Sequence, residues 1–180
     1  KLCLALLSKY SVDGMGWSYP TVVLEKKIVE ICKKLEKEGL QIPAITITGG
    51  FASEDQVFKA LALGEGYITS VGLCRAAMAA AMTGKKIGEQ IKTGKVPEQF
   101  KGFGETAEEI FSDLPDLCGI YGEGAKRFST GAIGVFSYLN KIGFGVQHFA
   151  ALNRKFDVSL LNCADLIPLT WEGKNLLHSK

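Results

Sequence analysis

The sequence predicts an α/β protein that begins with about three β/α units of a TIM-type (β/α)₈ barrel and continues as a helical appendage. Ala44–Thr48 is a short, apolar, β-branched run, typical of a strand buried on both faces. Gly49-Gly50 follows it, and the next strand pattern, Tyr67–Ser70, also ends in a glycine turn, Val71-Gly72. Strand patterns then cease, which indicates that the chain contains only the C-terminal portion of a barrel.

Two domains are expected, with the boundary near residue 84. Residues 1–84 would form the barrel units, and residues 85–180 a helical C-terminal extension packed on them. The barrel part is expected to contain a strand at Leu2–Leu7, a loop at Lys9–Pro20 and a helix at Val22–Glu38. The core face of that helix is predicted by spacing to hold Leu24, Ile28, Ile31 and Leu35. A further helix, capped by Ser53 with Gln56 at capping-box spacing, ends at Gly64.

The second part reads as helices joined by glycine-rich connections. A helix at Leu73–Met82 leads into an exposed connection over 84–104, with a short helix near Lys85–Ile91. The remaining expectations are a helix at Glu105–Asp113 ended by Pro115, a loop at Gly119–Gly124, helices at Thr130–Ile142 and Phe144–Lys155 separated by Gly143, and a fraying tail from Glu172. His148 is expected to be a packed, hydrogen-bonded side chain.

Composition narrows the class of protein. The 180 residues carry a net charge of +2, with 47% hydrophobic and 22% charged residues, which are ordinary values for a soluble domain and give no nucleic-acid footprint. No segment reaches the length of a membrane span, and no secretory leader precedes the first strand, so a cytoplasmic location is expected. Five cysteines are scattered singly, which favours reduced thiols and predicts neither a disulfide framework nor a metal site.

The two glycine turns predict a phosphate site. The carboxyl ends of parallel strands meet at one edge, where free backbone N–H groups bind anions, and in barrels the phosphate lies after the last two strands. The expected binding residues are Gly49, Gly50, Ser70, Val71 and Gly72, with the Ser70 hydroxyl as a further donor. Arg75 would either join the phosphate or reach solvent. An ordinary structural role for both turns remains an alternative, since Gly-Gly after a strand is a common βα turn.

Short motifs resemble the final two β/α units of the flavin-binding barrel in the glutamate synthase family. They are ITGG at 47–50, KALALG at 59–64 and YITSVG at 67–72, and FSYLNKIGFGVQHFAALNRKF resembles the family's C-terminal helical segment. The resemblance implies an FMN-binding oxidoreductase acting on a small-molecule substrate, with Asp13, Gly14 and Gly16 loosely matching a loop near the flavin. In redox members of the family, cysteines that bind an iron–sulfur cluster follow the last barrel strand. This chain has only Cys74 in that region, so no iron–sulfur cluster is expected.

No catalytic residue is predicted, and three alternatives to the flavin enzyme remain open. One is another phosphate-binding barrel, similar to the inosine monophosphate dehydrogenases. A second is a non-catalytic subunit or barrel remnant that binds a partner and no cofactor. The third is a compact three-layer α/β domain with structural glycine turns. In the preferred interpretation, the missing N-terminal barrel half or another chain covers the exposed strand edges.

Overall fold

The chain forms a mixed α/β structure, as the sequence predicts. The computed structural model describes residues 3–7 and 20–178, with backbone only for 3–7 and 178. The strands are β1 (Cys3–Leu7), β2 (Ala44–Thr48) and β3 (Ile68–Gly72). The α-helices are α1 (Thr21–Lys37), α2 (Glu54–Leu63), α3 (Arg75–Lys92), α4 (Glu98–Lys101), α5 (Ala107–Ile110), α6 (Leu114–Tyr121), α7 (Thr130–Leu152) and α8 (Trp171–His178), and 3₁₀ segments occupy Gly122–Arg127, Val158–Leu160 and Cys163–Asp165.

The three strands form one parallel sheet in the order β1-β2-β3. The carboxyl ends coincide, because Leu7 pairs with Thr48 and Thr48 pairs with Gly72. The register of β2 and β3 shifts once, between Ile45 and Thr46. The end of β2, and therefore the Gly49-Gly50 turn, lies beside the end of β3, as expected for consecutive β/α units.

The described chain divides into two compact units. The first contains the residues up to Leu73 and those from Gly143 onward, and the second is Cys74–Ile142. The last ten residues of α7, from Gly143 to Leu152, thus belong to the first unit. The boundary predicted at residue 84, which separates barrel units from a helical extension, stays a prediction.

The first unit is held together by two clusters of buried apolar side chains. Ile45 and Ile47 of β2 pack with Ile68, Cys32 of α1 and Ala60 of α2. Phe58 and Ala62, also on α2, pack with Ala150 and Leu161. Helix α2 therefore contributes to both clusters, which fixes it firmly against the end of β2. Each fully buried aliphatic or aromatic side chain of this kind contributes about 1.5–3 kcal/mol.

The face that helix α1 turns to the core matches the predicted one only in part, since Ile28 packs against the buried cluster as predicted. The buried residues are Glu25, Val29 and Cys32, at i, i+4 and i+7, whereas Ile31 is 55% exposed. Two apolar stripes compete along this helix, and the one containing Val29 and Cys32 faces the sheet. The prediction of Ile31 as a core residue is wrong, and a carboxylate side chain occupies the buried stripe instead.

One strand boundary and one helix cap near the predicted phosphate site also differ from the predictions. Strand β3 extends to Gly72, so Val71 and Gly72 are strand residues and not a turn. The predicted Ser53 capping box is not formed, because the Ser53 hydroxyl donates to the Asp55 carboxylate. Gln56 Oε1 instead accepts from the backbone N–H of Ala52 at 2.8 Å. Gly64 does end α2 as predicted.

The second unit packs around Ile87, Phe111, Leu114, Leu117, Ala125 and Ile133. Helix α3 contains the short helix predicted near Lys85–Ile91, but it runs unbroken through Gly84, where an exposed connection was predicted to begin. Both Gly84 and Gly88 are buried against Thr130. Pro115 stands in the first turn of α6, a position that tolerates its missing N–H, instead of ending a helix. Gly119 lies inside α6, so the predicted loop there is also wrong.

Three further predictions about the C-terminal helices are wrong. Helix α7 runs without interruption through Gly143, because a lone glycine weakens a helix by only about 1 kcal/mol and does not break it. The tail from Glu172, predicted to fray, is helical as far as His178, within α8. His148, predicted to be packed, is exposed on α7.

We expect Gly84→Ala to destabilise the second unit by about 2 kcal/mol, because a Cβ there would lie 2.5 Å from the Thr130 carbonyl oxygen and 3.2 Å from Gly134 Cα. Both neighbours are backbone atoms that cannot rotate away. Gly119→Ala is the control: its Cβ meets nothing within 4 Å, so the helix preference of alanine should stabilise the protein by about 0.5–1 kcal/mol. Urea denaturation measures both changes, and shifts of the same sign would contradict the packing argument.

Candidate functional site

A cleft of about 720 Å³ opens in the first unit beside the carboxyl end of β2. Its walls come from the start of α1, the turn after β2, one side of α2, the end of α7, residues 165–167 and α8. The volume lies within the range of small-molecule sites, about 300–1,000 Å³. Ligands of α/β proteins bind outside the carboxyl ends of parallel strands, which is the position of this cleft.

The floor of the cleft includes the turn Gly49-Gly50. Both residues have positive φ angles, 140° and 83°, which side chains with a Cβ rarely adopt. The Thr21 hydroxyl, at the start of α1, donates a 2.9 Å hydrogen bond to the Gly49 carbonyl and ties the helix to the turn. A Cβ built on Gly50 would meet nothing within 4 Å. The backbone of Gly50 is therefore open to close approach by a ligand.

The carboxyl of Glu25 lies one helical turn beyond Thr21 and also lines the cleft. Glu25 is only 1% exposed, and its Oε1 has no hydrogen-bond partner among the described residues. Burial raises the pKa of this carboxyl to about 8, so it is neutral at pH 7. Glu25 was not among the site residues predicted from the sequence, although its spacing to Val29 and Cys32 is that of a buried stripe.

The described charged side chains along the cleft already have partners. Lys59 Nζ lies 2.8 Å from Asp55, and the hydrogen bonds from Lys59 and then Ser53 hold the Asp55 pKa below its usual range. Asp165 pairs with Lys155 Nζ at 2.6 Å. Among the described carboxylates that line the cleft with Asp55 and Asp165, Glu25 is thus the one with a buried oxygen that lacks a hydrogen-bond partner.

The structure separates the five predicted phosphate-binding residues into two groups. Gly49 and Gly50 line the cleft, and Ser70, Val71 and Gly72 do not. Gly72 is required by strand packing, because a Cβ there would lie 2.4 Å from Thr48 Cγ2. The Ser70 hydroxyl lies 2.6 Å from that of Thr46 on one face of the sheet.

Of the other residues considered from sequence, Arg75 is not among those that line this cleft. Arg75 is exposed at the start of α3, in the second unit. Asp13, Gly14 and Gly16 lie outside the described residues.

A second pocket, of about 1,060 Å³, lies at the opposite, amino end of β2 and β3. Tyr67 Oη donates to Glu36 at 2.5 Å, and Cys163 Sγ donates to Glu65 at 3.0 Å. Burial and the Glu65 carboxylate raise the pKa of the Cys163 thiol to about 11. This thiol is therefore protonated at neutral pH and is a poor nucleophile.

Comparison of the chain with models of protein families, with curated proteins and with solved structures found no match. In residues 20–178, no three His, Cys, Asp or Glu side chains are grouped as metal ligands would be. The helices of the described part are each too short or too polar to cross a membrane.

Proposed function

We propose that this chain is part of an FMN-binding oxidoreductase of the glutamate synthase type, with the flavin phosphate on the Gly49-Gly50 turn. The observation that carries the proposal is this turn, which combines two positive φ angles with open space at Gly50 in a cleft at the carboxyl edge of a parallel sheet. The resemblance of the motifs at 47–50, 59–64 and 67–72 to that family supports the same assignment. The substrate would be a small molecule.

We place the sheet in the C-terminal part of a (β/α)₈ barrel. Three parallel strands in sequence order, with helices between them, have the connectivity of consecutive barrel units. Strand β3 leaves Thr69 and Ser70 exposed, although parallel sheets are normally covered on both faces. Further barrel strands, from the same protein or from another chain, would complete the site.

The chemistry of the cleft suits a phosphorylated aromatic ligand. Backbone N–H groups at the turn would bind the phosphate, and a neutral Glu25 would not repel it. Phe58 and Phe149, with ring centroids 5.5 Å apart, and Leu166 supply apolar surface on the other walls. The flavin, when bound, supplies the hydride chemistry, and the protein binds it and excludes water.

We expect Gly50→Val to weaken FMN binding at least about 30-fold, because a β-branched side chain fits poorly at φ +83° and would fill the open space above the turn. Helical content should stay nearly unchanged. Quenching of flavin fluorescence measures the affinity, and circular dichroism the helices. Gly39→Val is the matched control, since Gly39 has φ +74° and open space but lies away from the cleft. Equal affinities of Gly50→Val and the unmodified chain would contradict the site.

Partner binding without a cofactor is the second candidate function. Segment 156–171 favours it, because Phe156, Leu169 and Trp171 are exposed by 89%, 93% and 74%, and large exposed apolar patches often mark interfaces. A visible absorption spectrum of the natural preparation, with co-purifying chains retained, separates the two functions. A flavin band released by denaturation supports the oxidoreductase, whereas a colourless preparation with a stoichiometric partner supports the interaction subunit.

A further inference from the structure

The carboxyl of Glu25 is a buried polar group with an unmet hydrogen bond. Its Oε1 lacks a partner among the described residues, and the side chain is 1% exposed on the wall of the cleft. Buried polar atoms in folded proteins nearly always have partners, since an orphaned one loses its hydration without compensation. A molecule bound in the cleft would supply the partner that the described residues do not.

The neighbouring residues determine which hydrogen bonds Glu25 can make with such a molecule. Burial raises the pKa of this carboxyl to about 8 and keeps it protonated at neutral pH. The charged groups lining the cleft from other elements, Asp55 and Lys59 on α2 and Asp165 in the 163–165 segment, are engaged in their own ion pairs. A protonated carboxyl donates through one oxygen and accepts through the other. Its natural complement is a ligand hydroxyl, which also donates and accepts.

The position of Glu25 selects which part of the ligand it meets. The Thr21 hydroxyl donates to the Gly49 carbonyl at 2.9 Å. Glu25 is four residues further along α1, on the same face, with about 5–6 Å between the Cβ atoms of the two residues. A group beside Glu25 is therefore close to a phosphate on the Gly49-Gly50 turn. In FMN, the part next to the phosphate is the hydroxylated ribityl chain.

We propose that Glu25 binds the hydroxyls of the ribityl chain, accepting from one through Oε1 and donating to a hydroxyl oxygen through the protonated oxygen. This inference rests on the proposed function. Glu25 would then favour binding of a phosphate on a hydroxylated, sugar-alcohol chain over binding of a phosphate on a plain alkyl chain. FMN affinity should also fall as pH rises through about 8, since ionised Glu25 cannot donate and repels the phosphate.

The test compares two ligands on the natural preparation, with co-purifying chains retained and any bound flavin removed: FMN and a flavin whose ribityl group is replaced by a phosphorylated pentyl chain. We expect FMN to bind about tenfold more tightly, the effect of one or two buried hydrogen bonds. Glu25→Gln, which keeps a donor and an acceptor, should retain this preference and lose the fall in affinity near pH 8. Glu25→Met should remove the preference.

The outcomes distinguish this inference from the proposed function. Equal affinity of the unmodified chain for both flavins would overturn the role of Glu25 and leave the phosphate site standing. Failure to bind either flavin would overturn both. The comparison of ligands needs no variant, so a variant that does not fold leaves the test intact.

Discussion

At a pH of about 8, we expect the free energy of unfolding of the Glu25→Gln variant to exceed that of the unmodified chain by about 4 kcal/mol. The pKa of Glu25 rises from 4.5 to about 8 because burial disfavours the charged form. Between these values the folded state holds a proton that the unfolded state has released. The unmodified chain therefore loses stability as pH rises from about 4.5 to 8, and glutamine removes that loss.

Urea denaturation at several pH values between about 5 and 9 measures this effect. Glu30→Gln serves as the control, because Glu30 is exposed on the same helix. Its pH profile should run parallel to that of the unmodified chain, while the Glu25→Gln profile is flatter. Parallel profiles for all three proteins would show that Glu25 is not buried in the way the structure describes.

Local pattern predicted the elements that carry the cleft. The apolar run Ala44–Thr48 forms β2 with the predicted bounds, and the helix closed by Gly64 forms α2. Gly49 and Gly50 adopt the positive φ angles for which glycine is suited. Each of these features is set by residues close together in the chain, where side-chain period and backbone preference act directly.

Tertiary packing decided the features that were predicted wrongly. Gly84 resembles a helix breaker in the sequence, yet its missing side chain allows the backbone of Thr130 to approach. The buried stripe of α1 depends on which of two faces meets the sheet, so Ile31 is exposed and Glu25 is buried. A carboxylate on an amphipathic helix is ordinarily assigned to the solvated face, which is why the cleft's most unusual group was missed.

Lys155→Met is expected to lower the free energy of unfolding of the first unit by about 3 kcal/mol, because it leaves a buried carboxylate without its partner. The Lys155 and Asp165 side chains are 20% and 8% exposed. Asp165 also accepts from the backbone N–H of Asn162 at 2.9 Å and fixes the turn that precedes Leu166 on the cleft wall. FMN affinity should therefore fall with stability.

A second variant separates this buried pair from an ordinary surface ion pair. Lys155→Met combined with Asp165→Asn should recover most of the lost stability, because asparagine removes the unpaired charge and keeps an acceptor for the turn. Lys101→Met breaks an exposed pair with Glu98 and should cost less than about 1 kcal/mol. If Lys155→Met and Lys101→Met have equal small costs, the ion pair contributes nothing beyond a surface contact, and another interaction must fix the 163–167 wall of the cleft.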